Sequence, residues 1–172
     1  MQVVGITLKT SLRNERSKSE IPPFFHKVLE EHKLDSIAGR LNANRLCVFQ
    51  MEKDNPEFDY TMGVEVGSSS DGPEGFTHLL LPASSYVSVG IVKRGHDDVG
   101  KAFEFIFEEW IPNSIFIPTG QPAFIYYDKA FFDIYDRDGY AGNPPATVFV
   151  PIRPLFVKRM LTRLGLRKFS ES

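Results

Sequence analysis

Cysteine is nearly missing from this chain: Cys47 is the only one among 172 residues. That excludes an internal disulfide and a zinc site built on thiolates. Long apolar runs are missing too. No stretch reaches the length, about 18 residues, that a membrane-spanning helix needs, and no leader of signal-peptide pattern is present. A soluble, cytoplasmic protein is the expectation. Net charge is small, −2, which argues against nucleic acid as the main partner of the chain. Neither Cys47 nor His96 has a nearby partner of the nucleophile–base kind, so a Cys–His enzyme is not expected. No metal or cofactor site is expected either. Two features do stand out. Phenylalanine is abundant, at 15 residues, enough for a core with aromatic surface left over for a ligand. The charge is also uneven. Residues 153–172 hold six Lys/Arg and one Glu, a net +5, which leaves −7 on residues 1–152.

The chain is organised around Leu81 to Pro112. Tyr86, Ser88, Gly90 and Val92 alternate with Val87, Val89, Ile91 and Lys93, the period of a strand. Val99, Phe103, Ile106, Phe107 and Trp110 then fall on one helical stripe. Between the two, Arg94 to Asp98 reads as a turn in which Asp97 or Asp98 caps the helix, and Pro112 is expected to end it.

Upstream, Gln2–Lys9 reads as a strand and Thr10–Glu20 as a polar loop. Ile21-Pro22-Pro23 is expected to start a helix, since proline suits the first helical position. Arg45–Met51 and Phe58–Val66 read as a hairpin. In the second of these strands Phe58, Tyr60, Met62, Val64 and Val66 share one face, and Asp59, Thr61, Gly63 and Glu65 share the other. Gly67–Gly75 is a flexible connector. Downstream come a strand at 76–81, a loop at 113–121, strands at 123–127 and 147–152, and between the last two an aromatic Gly/Asp-rich segment. Residues 2–66 and 86–152 thus repeat the order strand, helix, strand, strand, a likeness of pattern rather than of residues.

These phrases, in this order, resemble the GyrI-like small-molecule-binding domains, the superfamily of the effector-binding domains of some AraC-type and MerR-type regulators. The matching phrases are VVGI (Val3–Ile6), IPPFFHKVLEE (Ile21–Glu31), YTMGVEV (Tyr60–Val66) and LPASSYVSVGIVKRG (Leu81–Gly95). EEWIPNS (Glu108–Ser114), QPAFIYYD (Gln121–Asp128) and VFVPI (Val148–Ile152) continue the series. The resemblance implies an α+β fold. Two βαββ units, SHS2-like modules with antiparallel sheets, would set two main helices on one side and a concave ligand cleft on the other. One domain would span 1–155, with pseudo-repeats 1–70 and 76–152, followed by a basic tail, 156–172. Helices near 21–34 and 98–110 would share that side.

Family members bind flat, hydrophobic, often cationic compounds between aromatic rings beside a buried carboxylate. The resemblance therefore implies a protein that sequesters or senses such a compound; the chain has no spare length for a helix-turn-helix, so a stand-alone domain that does not read DNA itself is the expectation. Candidate ligand-binding residues are Phe49, Tyr60, Glu65, Trp110, Phe116, Phe124, Tyr126 and Asp133. The family usually carries Glu in a Phe-Glu-x-Tyr phrase on the strand before the last, where this chain has Ile125. The anchoring carboxylate is then lost, shortened to Asp133, or replaced by Glu65. Tyr126 and Tyr127 point to opposite faces, so only one lines the cleft, and Tyr126 shares parity with Phe124. Phe49, Tyr60 and Trp110 serve equally well as core. Two other functions stay open: hydrolysis of reactive cyclopropane-bearing compounds, which some stand-alone relatives perform in the same cleft, and binding of a gyrase-like protein partner. The basic tail, with a stripe of Phe156, Met160, Leu161 and Leu164, is either a short packed helix, a frayed end, or a docking or membrane-surface helix. A monomer or a homodimer would suit either reading.

Overall fold

A computed structural model describes residues 1–52, 54–67, 74–91, 96–129, 131 and 146–155. Residues 92–95, with the first part of the turn expected at Arg94–Asp98, most of the connector, Asp133 with its surrounding segment, and the tail from residue 156 on lie outside the described residues; the rest of that expected turn, from His96, is already helical. Among the described residues eight strands form a single antiparallel sheet. They are β1 (Gln2–Ser11), β2 (Arg45–Met51), β3 (Glu57–Val66), β4 (Thr77–Leu80), β5 (Ser85–Ile91), β6 (Phe116–Pro118), β7 (Ala123–Tyr127) and β8 (Ala146–Pro154). Their order is β4-β1-β3-β2-β7-β8-β5, with β6 pairing one end of β8. The two halves meet where β2 pairs with β7, Cys47 opposite Ile125. Outward from that seam runs β2-β3-β1 on one side and β7-β8-β5 on the other, the same order of elements twice.

Helix α1 (Arg16–Glu30) follows β1, and α2 (His96–Glu104) follows β5. Both lie on one side of the sheet. Phe25 and Val28 of α1 and Ala102 and Ile106 of the second helix belong to one core, with Cys47, Met62, Val64, Ile125, Val148 and Val150 beneath them. On β3 Phe58, Tyr60, Met62, Val64 and Val66 are all buried, as expected, but Thr61 and Gly63 of the opposite face are buried as well. The other face carries a smaller apolar cluster of Val3, Leu46, Val48, Leu81 and Phe124.

Three sequence expectations need correction. Helix α1 begins at Arg16, so Pro22 and Pro23 lie inside it rather than at its start. Each proline removes a backbone donor. Contacts of the preceding turn hold the helix nonetheless: the Arg16 Nε–H donates to Glu20 Oε1 at 2.8 Å, and the Thr10 hydroxyl donates to Glu20 Oε2 at 2.8 Å. The second helix does not stop at Pro112. It runs on through a π-helical turn, Phe105–Trp110, to a last turn, Ile111–Asn113. A π-turn accommodates one residue more than an α-turn and shifts the angular position of the residues beyond it. Ile106 therefore stays fully buried, whereas Phe107, expected on the apolar stripe, is 45% exposed. Finally, the presumed loop at 113–121 contains β6.

Glu20 ties α1 to β1, and its carboxyl is held below the ordinary value, chiefly by the Arg16 hydrogen bond and then by that of Thr10. A carboxyl depressed in the folded state stabilises the fold above its ordinary pKa, and that contribution fades as pH falls through the lowered value. Urea midpoints of the wild type and Glu20→Gln should therefore differ at neutral pH and converge in acid. A gap that stays constant with pH would show that the carboxylate charge is not what matters.

Candidate functional site

Antiparallel pairing puts the side chains of opposed residues on the same face. The register therefore maps the face away from the helices. Val3 opposes Glu65, Gly5 opposes Gly63, and Thr7 opposes Thr61. Leu46 opposes Tyr126 and Val48 opposes Phe124. Phe124 in turn opposes Phe149, and Phe149 opposes Ser88 beside Tyr86.

The rings on this face touch. Phe124 stacks on Phe149 with centroids 4.9 Å apart and planes 17° from parallel. Tyr86 meets both edge-on, at 5.5 Å and 6.1 Å. Its hydroxyl donates to the Pro82 carbonyl at 3.3 Å, and burial raises its pKa, so it stays a neutral phenol. Faces of such rings carry partial negative charge that attracts cations.

A polar corner borders the rings. Glu65 is half-buried, and Asn42 Nδ2 donates to its Oε2 at 3.1 Å. Asn42 Oδ1 accepts from the Asn44 backbone N–H at 2.9 Å. The Asn44 side-chain amide reaches the Tyr126 hydroxyl, and its carbonyl oxygen accepts from the Lys129 N–H at 2.9 Å. Two asparagines thus bridge the Glu65 carboxylate to the Tyr126 phenol. Strand spacing puts Tyr126 two strands from Glu65, roughly 10 Å across the sheet.

Of the eight residues proposed from sequence, the seven that are described do not come together. Glu65, Phe124 and Tyr126 share the face away from the helices. Phe49 and Tyr60 lie under the helices, where Phe49 meets Tyr60 at 5.2 Å and Phe103 at 5.3 Å, both edge-on. Tyr60 is 2% exposed and its pKa is raised, first of all by burial. Its neighbour Cys47 is fully buried, which pushes the thiol up to about 12. Neither can act as a base or nucleophile near neutrality. Trp110 stacks on Phe116 at 5.8 Å against the helix-side core. Asp133 lies outside the described residues. Sequence reasoning missed Tyr86, Phe149, Asn42 and Asn44. Tyr86 and Phe149 could have been found from strand parity, because each shares the parity of the polar residues in its own strand. The asparagines sit before β2 and give no periodic signal.

An open cavity of about 470 Å³ lies at the other end of the strands, lined in part by Lys9, Gln50, Glu52, Asn55, Glu57 and Asp59. It is six residues along β3 from Glu65, about 20 Å. Its one ring, Phe58, is 5% exposed, so it offers little surface to a flat apolar molecule.

The sequence profile of the Cass2 family, integron-associated effector binding proteins, matches residues 1–152. The chain belongs to this family, which is GyrI-like. No curated protein matches it. Among solved structures it is similar to SAV2435 bound to tetraphenylphosphonium, at 16% identity and a TM-score of 0.68, over 97% of this chain and 94% of that one. A putative transcription regulation protein of Staphylococcus aureus matches at 17% identity and a TM-score of 0.60, over 89% and 92%. The EcmrR C-terminal domain matches at 11% identity and a TM-score of 0.55, again over 89% and 92%. The shared fold is α+β, an antiparallel open sheet with two helices. As an effector-binding family member the chain fits small-molecule binding. Among the described residues no helix is long and apolar enough to cross a membrane.

Proposed function

We propose that this protein binds a largely apolar cation bearing flat aromatic rings on the sheet face away from the helices, and so sequesters or senses it. One observation carries the reading: Glu65 and the Tyr86–Phe124–Phe149 ring cluster share that face, joined by Tyr126. Rings supply area and quadrupole, and the carboxylate supplies charge where neighbouring apolar groups reduce screening by water. The likeness in fold to a protein bound to tetraphenylphosphonium supports a cationic ligand.

Glu65→Gln keeps the size and the hydrogen bond to Asn42 while removing the charge. Titration calorimetry should show affinity for tetraphenylphosphonium falling about tenfold, roughly 1.4 kcal/mol. Affinity for neutral triphenylphosphine oxide should hardly change. Equal losses for the two compounds, or none for either, would mean that Glu65 does not select charge.

A further inference from the structure

A cation that touches both Glu65 and the ring cluster has to lie over β2, the strand between β3 and β7. On that face β2 presents Leu46 and Val48, and both are 0% exposed. The ground between the carboxylate and the rings is therefore covered. Leu81 is part of the cover. It is 3% exposed and belongs to one buried cluster with Val3, Leu46, Val48 and Phe124.

The path of the chain explains how Leu81 comes to be there. Strands β4 and β5 stand at opposite ends of the sheet order, six strand spacings apart, which is about 29 Å in a flat sheet. The chain crosses from Leu80 at the end of β4 to Ser85 at the start of β5, and five residue steps reach about 18 Å at full stretch. The sheet must therefore coil until its two edges approach across the face away from the helices. Residues 81–84 strap those edges together. One end of the strap is held by the N-terminus of β1: the Leu81 N–H donates to the Met1 carbonyl at 2.9 Å, and the Met1 nitrogen donates to the Leu81 carbonyl at 2.9 Å. At the other end the Tyr86 hydroxyl donates to the Pro82 carbonyl. Between them Pro82 and Ala83 are exposed.

We propose that Leu81 is the gate of this face and a specificity-determining residue for its ligand. In the free protein its side chain occupies the ground over β2. The strap 81–84 lifts it away to let a cation reach the rings and Glu65 together. The gate rests on the binding reading above and adds to it a residue that restricts entry. Only molecules with the strap lifted are competent, so the apparent affinity is reduced in proportion to their fraction. Shrinking the gate or loosening the strap raises that fraction.

The test titrates the full chain with tetraphenylphosphonium in a calorimeter, at a temperature where thermal melts show every form to be folded. Leu81→Ala removes most of the buried side chain and should bind about tenfold tighter than the wild type, although it is less stable. A residue that only supports the fold would not tighten binding when truncated. Pro82→Gly with Ala83→Gly loosens the strap at exposed positions, where the fold should survive, and should tighten binding about threefold. In the wild type, saturating tetraphenylphosphonium should speed hydrogen exchange at the Leu81 amide, because lifting the strap opens its bond to Met1. If the wild type binds but neither variant binds tighter, or the Leu81 amide keeps its protection in the complex, the gate is overturned and the binding reading stands. If no form binds, both fall.

Discussion

Gly5→Ala should be among the most damaging single-methyl changes in this protein. Gly5 and Gly63 oppose each other in the β1–β3 ladder. A Cβ at Gly5 would lie 2.3 Å from the Met62 carbonyl oxygen and 2.7 Å from the Gly63 Cα. Both obstacles are backbone, which cannot turn aside as a flexible side chain can. At Gly63 the added carbon would meet the Val4 carbonyl oxygen at 2.6 Å. The strands must separate or twist, and the residues flanking the pair, Val3, Val4, Met62 and Val64, are essentially fully buried. Overpacking of this kind costs about 3 kcal/mol. For a chain of this size that lowers the melting temperature by roughly 6–12 °C. Gly90→Ala is the internal comparison, since a Cβ there has nothing within 4 Å, and it should change the melting temperature little. Equal shifts for the two variants would show that strand propensity, not the close approach, governs the loss.

That contrast marks what the sequence could and could not convey. Both glycines sit inside strands that their neighbours make easy to recognise. Strand alternation says which side chains share a face. It does not say how closely two backbones pass, because that depends on a partner strand more than fifty residues away. The same limit explains the candidate site. The parity of β3 placed Glu65 away from Tyr60, Met62 and Val64, and the structure has it there. Parity could not say which face presents rings to a ligand, so Phe49 and Tyr60 were grouped with Phe124 and Tyr126, although the sheet itself separates them. Helix ends were poorly legible for a different reason. The first turn of α1 is polar and rests on Glu20 reaching back to Thr10 and Arg16, and the π-turn in the second helix has no sequence signature that competes with an ordinary helical stripe. The repeated order of elements is legible in the residues, but the sheet order β4-β1-β3-β2-β7-β8-β5 rests on long-range pairing that no local pattern conveys.

Separating the two faces by experiment gives the second large effect. Phe124→Ala removes a ring that is 6% exposed and stacked on Phe149. Emptying such a site costs about 3–5 kcal/mol of stability. Phe49→Ala empties a site on the helix side, where Phe49 meets Tyr60 and Phe103, and should cost somewhat less because Phe49 is only partly buried. Both variants are expected to be destabilised, so binding must be measured at a temperature where thermal melts show each to be folded. Under that condition the two should part. Phe124→Ala should lose affinity for tetraphenylphosphonium by about tenfold or more, since Phe149 and Tyr86, the less buried rings of the cluster, lose the ring that holds them in place. Phe49→Ala should bind nearly as the wild type does, because its ring lies beneath the helices on the other side of the sheet from Glu65. Phe124→Leu retains much of the volume without the aromatic face, and it separates loss of packing from loss of the ring. Its stability should largely recover while its affinity stays low. If affinity instead falls with Phe49 and survives at Phe124, the cation enters between helices and sheet, and the Glu65 face is a second core rather than a binding surface.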